Sequence, residues 1–553
     1  MALTLICVGM IGVANAAGLN MTFSWETDGQ TLSVVLSNPG SRGDVLFLPG
    51  GCDAKALTVT LQGEHEICWG GKTLHTGDMI DVSGDIGASV EVTRDGKKLG
   101  SVKVLQGSEI PAVFLRVTAA DLKHIYNSKR NDIREAASVV ILDGDGKVEC
   151  ADSLTSLHMR GNSTVFTPKK PFQFKLSEKA DLFNMGKAKT WILLANWFDV
   201  SLLRNQITLD LCKELGLNGT PECRQTDVYI NGSYNGTYLL TEKIQLKKSR
   251  LDITDMEEEM ELQNDKPLDS YRFCKGAKSG ISLLKWFDIP NEPEDITGGY
   301  LLEIEKPLHF SRNNENGGFK TDGEMFVVVK EPSQVGFESV SYIANLVNDF
   351  HNAVLAKNGV NRKTGRSYTD YIDSRSFALK IIVEELSANF DVRAASQFMY
   401  KDSSEVDDKL YAGPGWDYDL SFGNREDGQQ NPLRLNFVYR RSSNTSHLYH
   451  YLLTHDDFKQ LTRSLYDEEL VPAVEILLGR RRASRDSYLY SIDEYIDMVA
   501  DSAGMNFTRW TTSTITDLNK SSGLNFADAT SYLKNWITQR FDIMTEQWLV
   551  AKP

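Results

Sequence analysis

The hydrophobic period of this chain changes once along its length, and that change constrains its architecture more than any other feature. Between about Leu19 and Leu105 apolar residues alternate with polar ones in short runs. Thr31-Leu32-Ser33-Val34-Val35-Leu36, Ala56-Leu57-Thr58-Val59-Thr60-Leu61 and Ser89-Val90-Glu91-Val92-Thr93 are examples, the last followed by the turn Arg94-Asp95-Gly96-Lys97. A two-residue period broken by turns predicts a small β-sandwich-like module. It carries no cluster of titratable groups and reads as a spacer or binding module. From about Phe337 the period becomes helical: Phe337, Val340, Ile343, Val347, Phe350 and Val354 share a face. Asp373 is placed to cap a helix through Phe377, Ile381 and Glu384 to Leu386, and the last helix carries Leu533, Trp536, Ile537, Phe541, Met544 and Trp548 as core.

The region from about Ile110 to Lys306 mixes strands with one clear helix. Leu203, Ile207 and Leu211 share its face, Asp199 or Ser201 is its N-cap, and Gly216 ends it. The segment Asn231 to Gly236 reads as the turn of a hairpin between Val228-Tyr229-Ile230 and Thr237-Tyr238-Leu239-Leu240. The acidic stretch between Asp252 and Gly298 reads as a solvated excursion. At 553 residues the chain is too long for one ordinary core. The fold class is therefore α+β, with a leader at 1–16, a β module at 17–108 and a larger domain at 109–553, divided into a mixed lobe at 109–306 and a mainly helical lobe at 337–553.

A formal charge of −15 argues against nucleic acid and anionic membrane surfaces as partners, while leaving room for a local basic phosphate site. Met1 to Ala17 is apolar or small and uncharged, and Ala14-Asn15-Ala16 supplies an A-x-A cleavage pattern before Ala17, although a basic n-region is missing. This predicts export, to the medium or the cell surface, with no membrane span after signal removal. Without Cys7 six cysteines remain, an even number that suits disulfides, Cys52 with Cys68 and Cys212 with Cys223 being the near-sequence pairs; six buried thiols are the alternative. Asn20, Asn235, Asn444 and Asn506 head N-x-S/T sequons that would matter only in a eukaryotic secretory pathway.

The stretch from Asn389 to Asn424 carries the candidate chemistry. Asp391 opens the loop after the Asp373-capped helix, Ser396 to Lys401 reads as a strand, and a second strand from Leu410 runs into Trp416-Asp417-Tyr418-Asp419. One carboxylate at a helix-to-strand loop and two at the far end of a hairpin can converge. Phosphoryl transfer uses one carboxylate on the attacking hydroxyl and another on Mg²⁺, which takes hard oxygen ligands. The alternative is that these Asp residues cap turns. His447, His450 and His455 read as solvated, and His158 as structural. There is no GxxxxGK[ST], HExxH or GxSxG motif.

Six segments in order resemble the spore-coat-protein-H (CotH) kinase-like family. They are Arg160-Gly161-Asn162-Ser163 with Lys169 to Leu176; Asp199 to Asn205; the Asn231 to Tyr238 hairpin into Glu242; Gly298 to Glu303; Asn389 to Tyr400; and Trp416 to Asp419 through Asn424. The resemblance spans about Ala112 to Trp548 and implies an atypical, two-lobed protein-kinase-like fold using ATP and Mg²⁺ to phosphorylate proteins. It implies Asp391 as catalytic, Asp417 as metal ligand with Asp419 beside it, and Lys175, or its rival Lys170, as the phosphate lysine. Arg160 is implied as a phosphate contact, and Glu242 lies where the chain passes the nucleotide. Many members place an Asn ligand five residues beyond the catalytic Asp; here that position is Ser396. The expected substrate is Ser or Thr of a secreted, surface or coat protein. The alternatives are a non-catalytic binding scaffold and, on aromatic content alone, carbohydrate binding.

Overall fold

A computed structural model describes residues 19–39, 43–63, 66–127, 137–393, 395–425, 431–436, 444–511 and 523–550. The expected leader at 1–16 lies outside these residues. Among the described residues no helix is long and apolar enough to cross a membrane.

The alternating N-terminal segment forms two sheets, one of four strands and one of five. Phe23, Leu32, Val34 and Val59 from the first share a core with Val45, Phe47, Ile67, Val92 and Val104 from the second. The same core takes in Phe114, Tyr229 and Tyr234 from the next unit, so the module is docked rather than tethered. Phe47 stacks on Tyr234 at 4.7 Å between centroids, and Trp25 meets Phe114 edge-on at 6.0 Å.

That next unit is a closed seven-stranded barrel in the order Ala112–Val117, Ala137–Leu142, Val148–Met159, Phe172–Asp181, Lys187–Leu194, Ser233–Glu242 and Cys223–Ile230. The last strand returns parallel to the first. Strand alternation sends Phe172, Phe174, Leu176, Trp191 and Leu240 into the barrel. The hairpin turn is tighter than its composition suggests. Only Asn231 (φ 50°) and Gly232 (φ 79°) turn, both left-handed, while Ser233 already pairs with Ile230. The Asn231 side chain braces the turn through the Val117 N–H (3.0 Å) and carbonyl (2.8 Å).

A second sheet of seven antiparallel strands follows the order Phe273–Lys278, Ile281–Phe287, Gly318–Lys320, Phe326–Glu331, Tyr300–Ile304, Gln397–Lys401 and Leu410–Ala412. The mixed stretch 109–306 is therefore not one lobe: its first half closes the barrel, and its second half pairs with strands from beyond residue 396. The acidic excursion is likewise structured. It contains the helix Met256–Gln263 and two strands, and buries Met256, Met260, Leu284 and Trp286, while Glu258, Glu259 and Glu261 of the helix face outward and Lys285 is itself buried.

Helices Phe337–Leu355 and Ser374–Ser387 belong to the core of this sheet, and Phe526–Gln547 closes over the latter. The second starts as expected, with Asp373 accepting the Ser376 N–H at 2.6 Å. The disulfide expectation fails: Cys52, Cys68, Cys150, Cys212, Cys223 and Cys274 are all free thiols. Cys212 lies 3.8 Å from the Tyr418 hydroxyl and Cys223 4.0 Å from Asp210, so each proposed partner faces a different polar group. His455 is buried, bonding the Val354 carbonyl at 3.0 Å, and stacks on Tyr368, rather than being solvated. Asn506 is buried as an acceptor for Lys169 at 2.9 Å, which removes it as a glycan site.

Arg540 joins the last helix to the one preceding the candidate site. Its buried guanidinium donates to the Glu385 carboxylate (2.5 Å), the Glu385 carbonyl (2.6 Å) and the Arg434 carbonyl (2.8 Å). Arg540→Ala removes the arginine with which the buried Glu385 carboxylate pairs. The expected loss is about 3–5 kcal/mol of unfolding free energy in denaturant melts, and a loss below about 1 kcal/mol would show that the contact is dispensable.

Candidate active site

The helix Ser374–Ser387 ends at Ala388, whose left-handed backbone (φ 44°) turns the chain out of the helix. Asn389 then organises the loop. Its Oδ1 accepts the Asp391 N–H at 3.2 Å, and its amide donates to the Asp417 carbonyl at 3.3 Å. Asp391 sits in the 3-10 turn Phe390–Arg393 and Ser396 immediately precedes the strand Gln397–Lys401. The partner strand ends at Ala412, and Asp417 follows at φ 67°. Ser396 is also left-handed, at φ 56°. Three non-glycine residues in this region cost about 1–3 kcal/mol each and persist only where surroundings hold them.

What holds the Asp417 loop comes from the barrel side. Asn205 Oδ1 accepts the Tyr418 N–H at 2.7 Å, and Arg204 Nε donates to the Ser421 carbonyl at 3.0 Å. Arg204 is pinned by Asp199, whose Oδ1 takes its guanidinium at 2.5 Å and whose Oδ2 takes its backbone N–H at 2.9 Å. Asp199 thus caps the helix Arg204–Glu214 from five residues upstream. The helix begins three residues later than its apolar face implies because Leu202 is left-handed (φ 61°). Below the loop, the Tyr418 hydroxyl meets Lys380 (2.9 Å) and Glu384 (3.0 Å), themselves a fully buried pair at 2.5 Å.

These anchors bring Asp391, Ser396, Asp417, Asp419 and Arg160 to one place. Ser396 Oγ donates to Asp417 Oδ2 at 3.2 Å. The Asp417 carboxyl is pushed up to about 6, by burial first and then by the Asp391 charge, with Ser396 and Arg160 opposing. Asp419 is raised well above the usual carboxylate range by burial, then by Asp417, Asp391 and Asp199. Arg160, at the end of the strand Val148–Met159, lies 5.3 Å over the Trp416 ring, and burial draws it down to about 10 against the fields of Asp417 and Glu303.

The other expected residues are elsewhere. Lys175 is exposed on the outer face of its barrel strand, opposite Ser156 and Thr190, and no ion pair joins it to these carboxylates among the described residues. Lys170 donates to the Val165 carbonyl at 2.7 Å. Glu242 is committed to a buried ion pair with Arg250 and accepts the Glu222 N–H at 2.8 Å. Residues assigned no role in the sequence reading stand closer. Lys306 Nζ is 3.3 Å from Asp391 Oδ1, and Glu303, paired with Lys330 at 3.2 Å, acts on both Asp417 and Arg160. Half-buried Lys243 stands among Glu331, Arg160, Lys330 and Glu257, and burial lowers its pKa. Of these, only Glu303 lies within a segment that carries the family resemblance.

A family model described as CotH kinase protein matches residues 157–544, more than half of the chain. The chain belongs to the CotH kinase family. No curated protein matches it. The matched range contains Arg160, just after the strand Val148–Met159, and the whole Asp391–Asp417 region.

Among the described residues no three of His, Cys, Asp and Glu form a ready-made metal cluster. Mg²⁺ commonly takes one or two carboxylates, with water and phosphate oxygens completing the shell. Asp417, Asp419 and Ser396 offer hard oxygen, and the burial that raises both carboxyls, reinforced on each by the Asp391 charge, is the imbalance that a divalent cation relieves. The residues present fit the ion.

The raised pKa fixes a sign. Asp417 holds its proton more tightly when folded, so its contribution to stability is full below its ordinary value of 3.8 and is lost as pH rises through about 6. In cation-free buffer, the melting temperature of Asp417→Asn should fall less than that of the wild type between pH 4 and pH 7. Equal slopes would mean that Asp417 is not perturbed.

Proposed function

We propose that this CotH-family chain is an ATP- and Mg²⁺-dependent protein kinase acting on Ser or Thr of a secreted, surface or coat protein. The observation that carries the reading is the convergence of Asp391 with the Ser396–Asp417 pair, across the two arms of a helix–strand–strand unit. In this reading the Asp391 carboxylate accepts the proton of the attacking hydroxyl. Asp417, with Asp419 behind it, holds the ion, and Arg160 faces phosphate. Bound Mg²⁺ would neutralise and align the phosphate oxygens. Asn389 and Asn205 keep the two carboxylates in register, and the buried Asp199–Arg204 pair keeps the loop from relaxing. The leader pattern at 1–16 supports export in this reading.

One observation favours a second reading, a non-catalytic scaffold. Ser396 stands where many relatives supply an Asn ligand, and its hydroxyl occupies Asp417 Oδ2. An ion at Asp417 must displace or share that hydrogen bond.

The two readings separate in a thermal-shift titration with ATP, with and without Mg²⁺. A ligand at a hundred times its Kd adds about 2.7 kcal/mol to stability. The kinase reading expects an Mg²⁺-dependent shift that strengthens from pH 5 to pH 7.5 as Asp417 loses its proton, and that Asp417→Ala abolishes. Asp391→Asn should retain nucleotide binding and lose about 10²–10⁴ in phosphorylation rate. A folded wild type with no shift would leave the scaffold reading standing.

A further inference from the structure

Lys306 lies in the connection between the strand Tyr300–Ile304 and the short helix Pro307–Arg312. Its main chain is held on three sides. The N–H donates to Glu305 Oε1 at 2.9 Å, the carbonyl accepts the Phe310 N–H at 2.8 Å, and the following Pro307 restricts it to the extended conformation it adopts (φ −64°, ψ 141°). The side chain ends at Asp391, 3.3 Å from Oδ1, with 38% of its surface exposed against 17% for Asp391. A half-exposed pair of this kind contributes little to stability. What it does is bring a mobile ammonium, from a fixed backbone, to the carboxylate at the centre of the site.

We propose that Lys306 binds the γ-phosphate of the nucleotide, a role that rests on the kinase reading above and replaces Lys175 and Lys170 in it. The argument is one of reach. An acceptor hydroxyl bonded to Asp391 lies about 2.7 Å from a carboxylate oxygen, and in an attack-ready complex its oxygen is about 3–3.5 Å from phosphorus. A cation 3.3 Å from the same carboxylate reaches the oxygens of that phosphoryl group by side-chain rotation alone. Lys175, exposed on the barrel wall, has no such position, and Lys170 is bonded to Val165. In the transfer, the bond from the acceptor oxygen to phosphorus forms and the bond from phosphorus to the β–γ bridging oxygen breaks. The hydroxyl proton passes to Asp391 and ADP leaves with the bridging electron pair. Lys306 neutralises charge on the transferring group throughout and gives up no proton. Before the nucleotide arrives, its pairing with Asp391 offsets the mutual repulsion of the carboxylates.

The test compares ATP with ADP, each with Mg²⁺, by calorimetric titration of the wild type, Lys306→Ala and Lys306→Arg, beside phosphorylation rates for the same proteins. Lys306→Ala should weaken ATP about tenfold while changing ADP less than about twofold, and should lower kcat by about 10²–10³. Lys306→Arg should restore most of the preference for ATP over ADP. An equal loss for both nucleotides, or no loss for either, overturns the assignment and leaves the kinase reading intact. A folded wild type that binds neither nucleotide refutes both.

Discussion

A buried ion pair within one short segment, Asp199 with Arg204, orients the arginine that reaches from the barrel side to the loop where chemistry would occur. Both side chains are withdrawn from water, and hydrogen bonds surround the pair, although Arg204 Nη2 is buried without a partner among the described residues. Asp199 accepts from Ser201 and from the Arg204 backbone, and Arg204 spends its Nε on the Ser421 carbonyl. The barrel thereby grips the loop that presents Asp417. Together with Asn205 on the Tyr418 N–H and Asn389 on the Asp417 carbonyl, that grip holds Asp417 in its costly left-handed conformation.

The same economy runs through the rest of the interface. Lys380, Glu384, Tyr418 and Gln397 form a buried polar chain beneath the loop, and Arg540 carries the Glu385 charge one residue further along the helix. Where the barrel meets the helix Ile492–Arg509, Lys169, drawn down to about 7 by burial, meets Asn506, while Asp227, pushed up to about 6 by burial, meets Ser502, which also takes the Ser108 N–H. That seam ties the N-terminal module, the barrel and the helix Ile492–Arg509 together. Buried polar contacts of this kind add less stability than an apolar core, but they admit few alternative registers.

At the site, the balance of charge explains more than the count of carboxylates. Asp391 and Glu303 act on Asp417, Asp391 and Asp417 act on Asp419, and cations stand against three of them: Arg160 beside Asp417, Lys306 on Asp391 and Lys330 on Glu303. A cation and a polyphosphate entering together would satisfy both groups. Ser396 is the hinge of the question, because its hydroxyl already serves Asp417.

Much of the local structure was legible in the sequence, since it depends on residues close in the chain. Asp373 caps its helix, Asn231-Gly232 turns its hairpin, Gly216 (φ 75°) ends the helix behind Arg204, and Asp391 and Asp417 lie at the predicted loop positions. Their ordered spacing was also enough to place the chain in its family. Which sheet each strand joins was not legible, because strands from 300–304 and 397–401 pair across some ninety residues and period-two alternation carries no partner identity. The same limit misplaced the lysine. Alternation along Phe172–Leu176 shows that Lys175 leaves the barrel core, but only closure of the barrel reveals that its outer face there is solvent, and only the second sheet carries Lys306 to Asp391. Sequence alone determined the turns, caps, periods and family of this protein. The tertiary structure decided which charges meet, because electrostatic partners are chosen by distance in space and not along the chain.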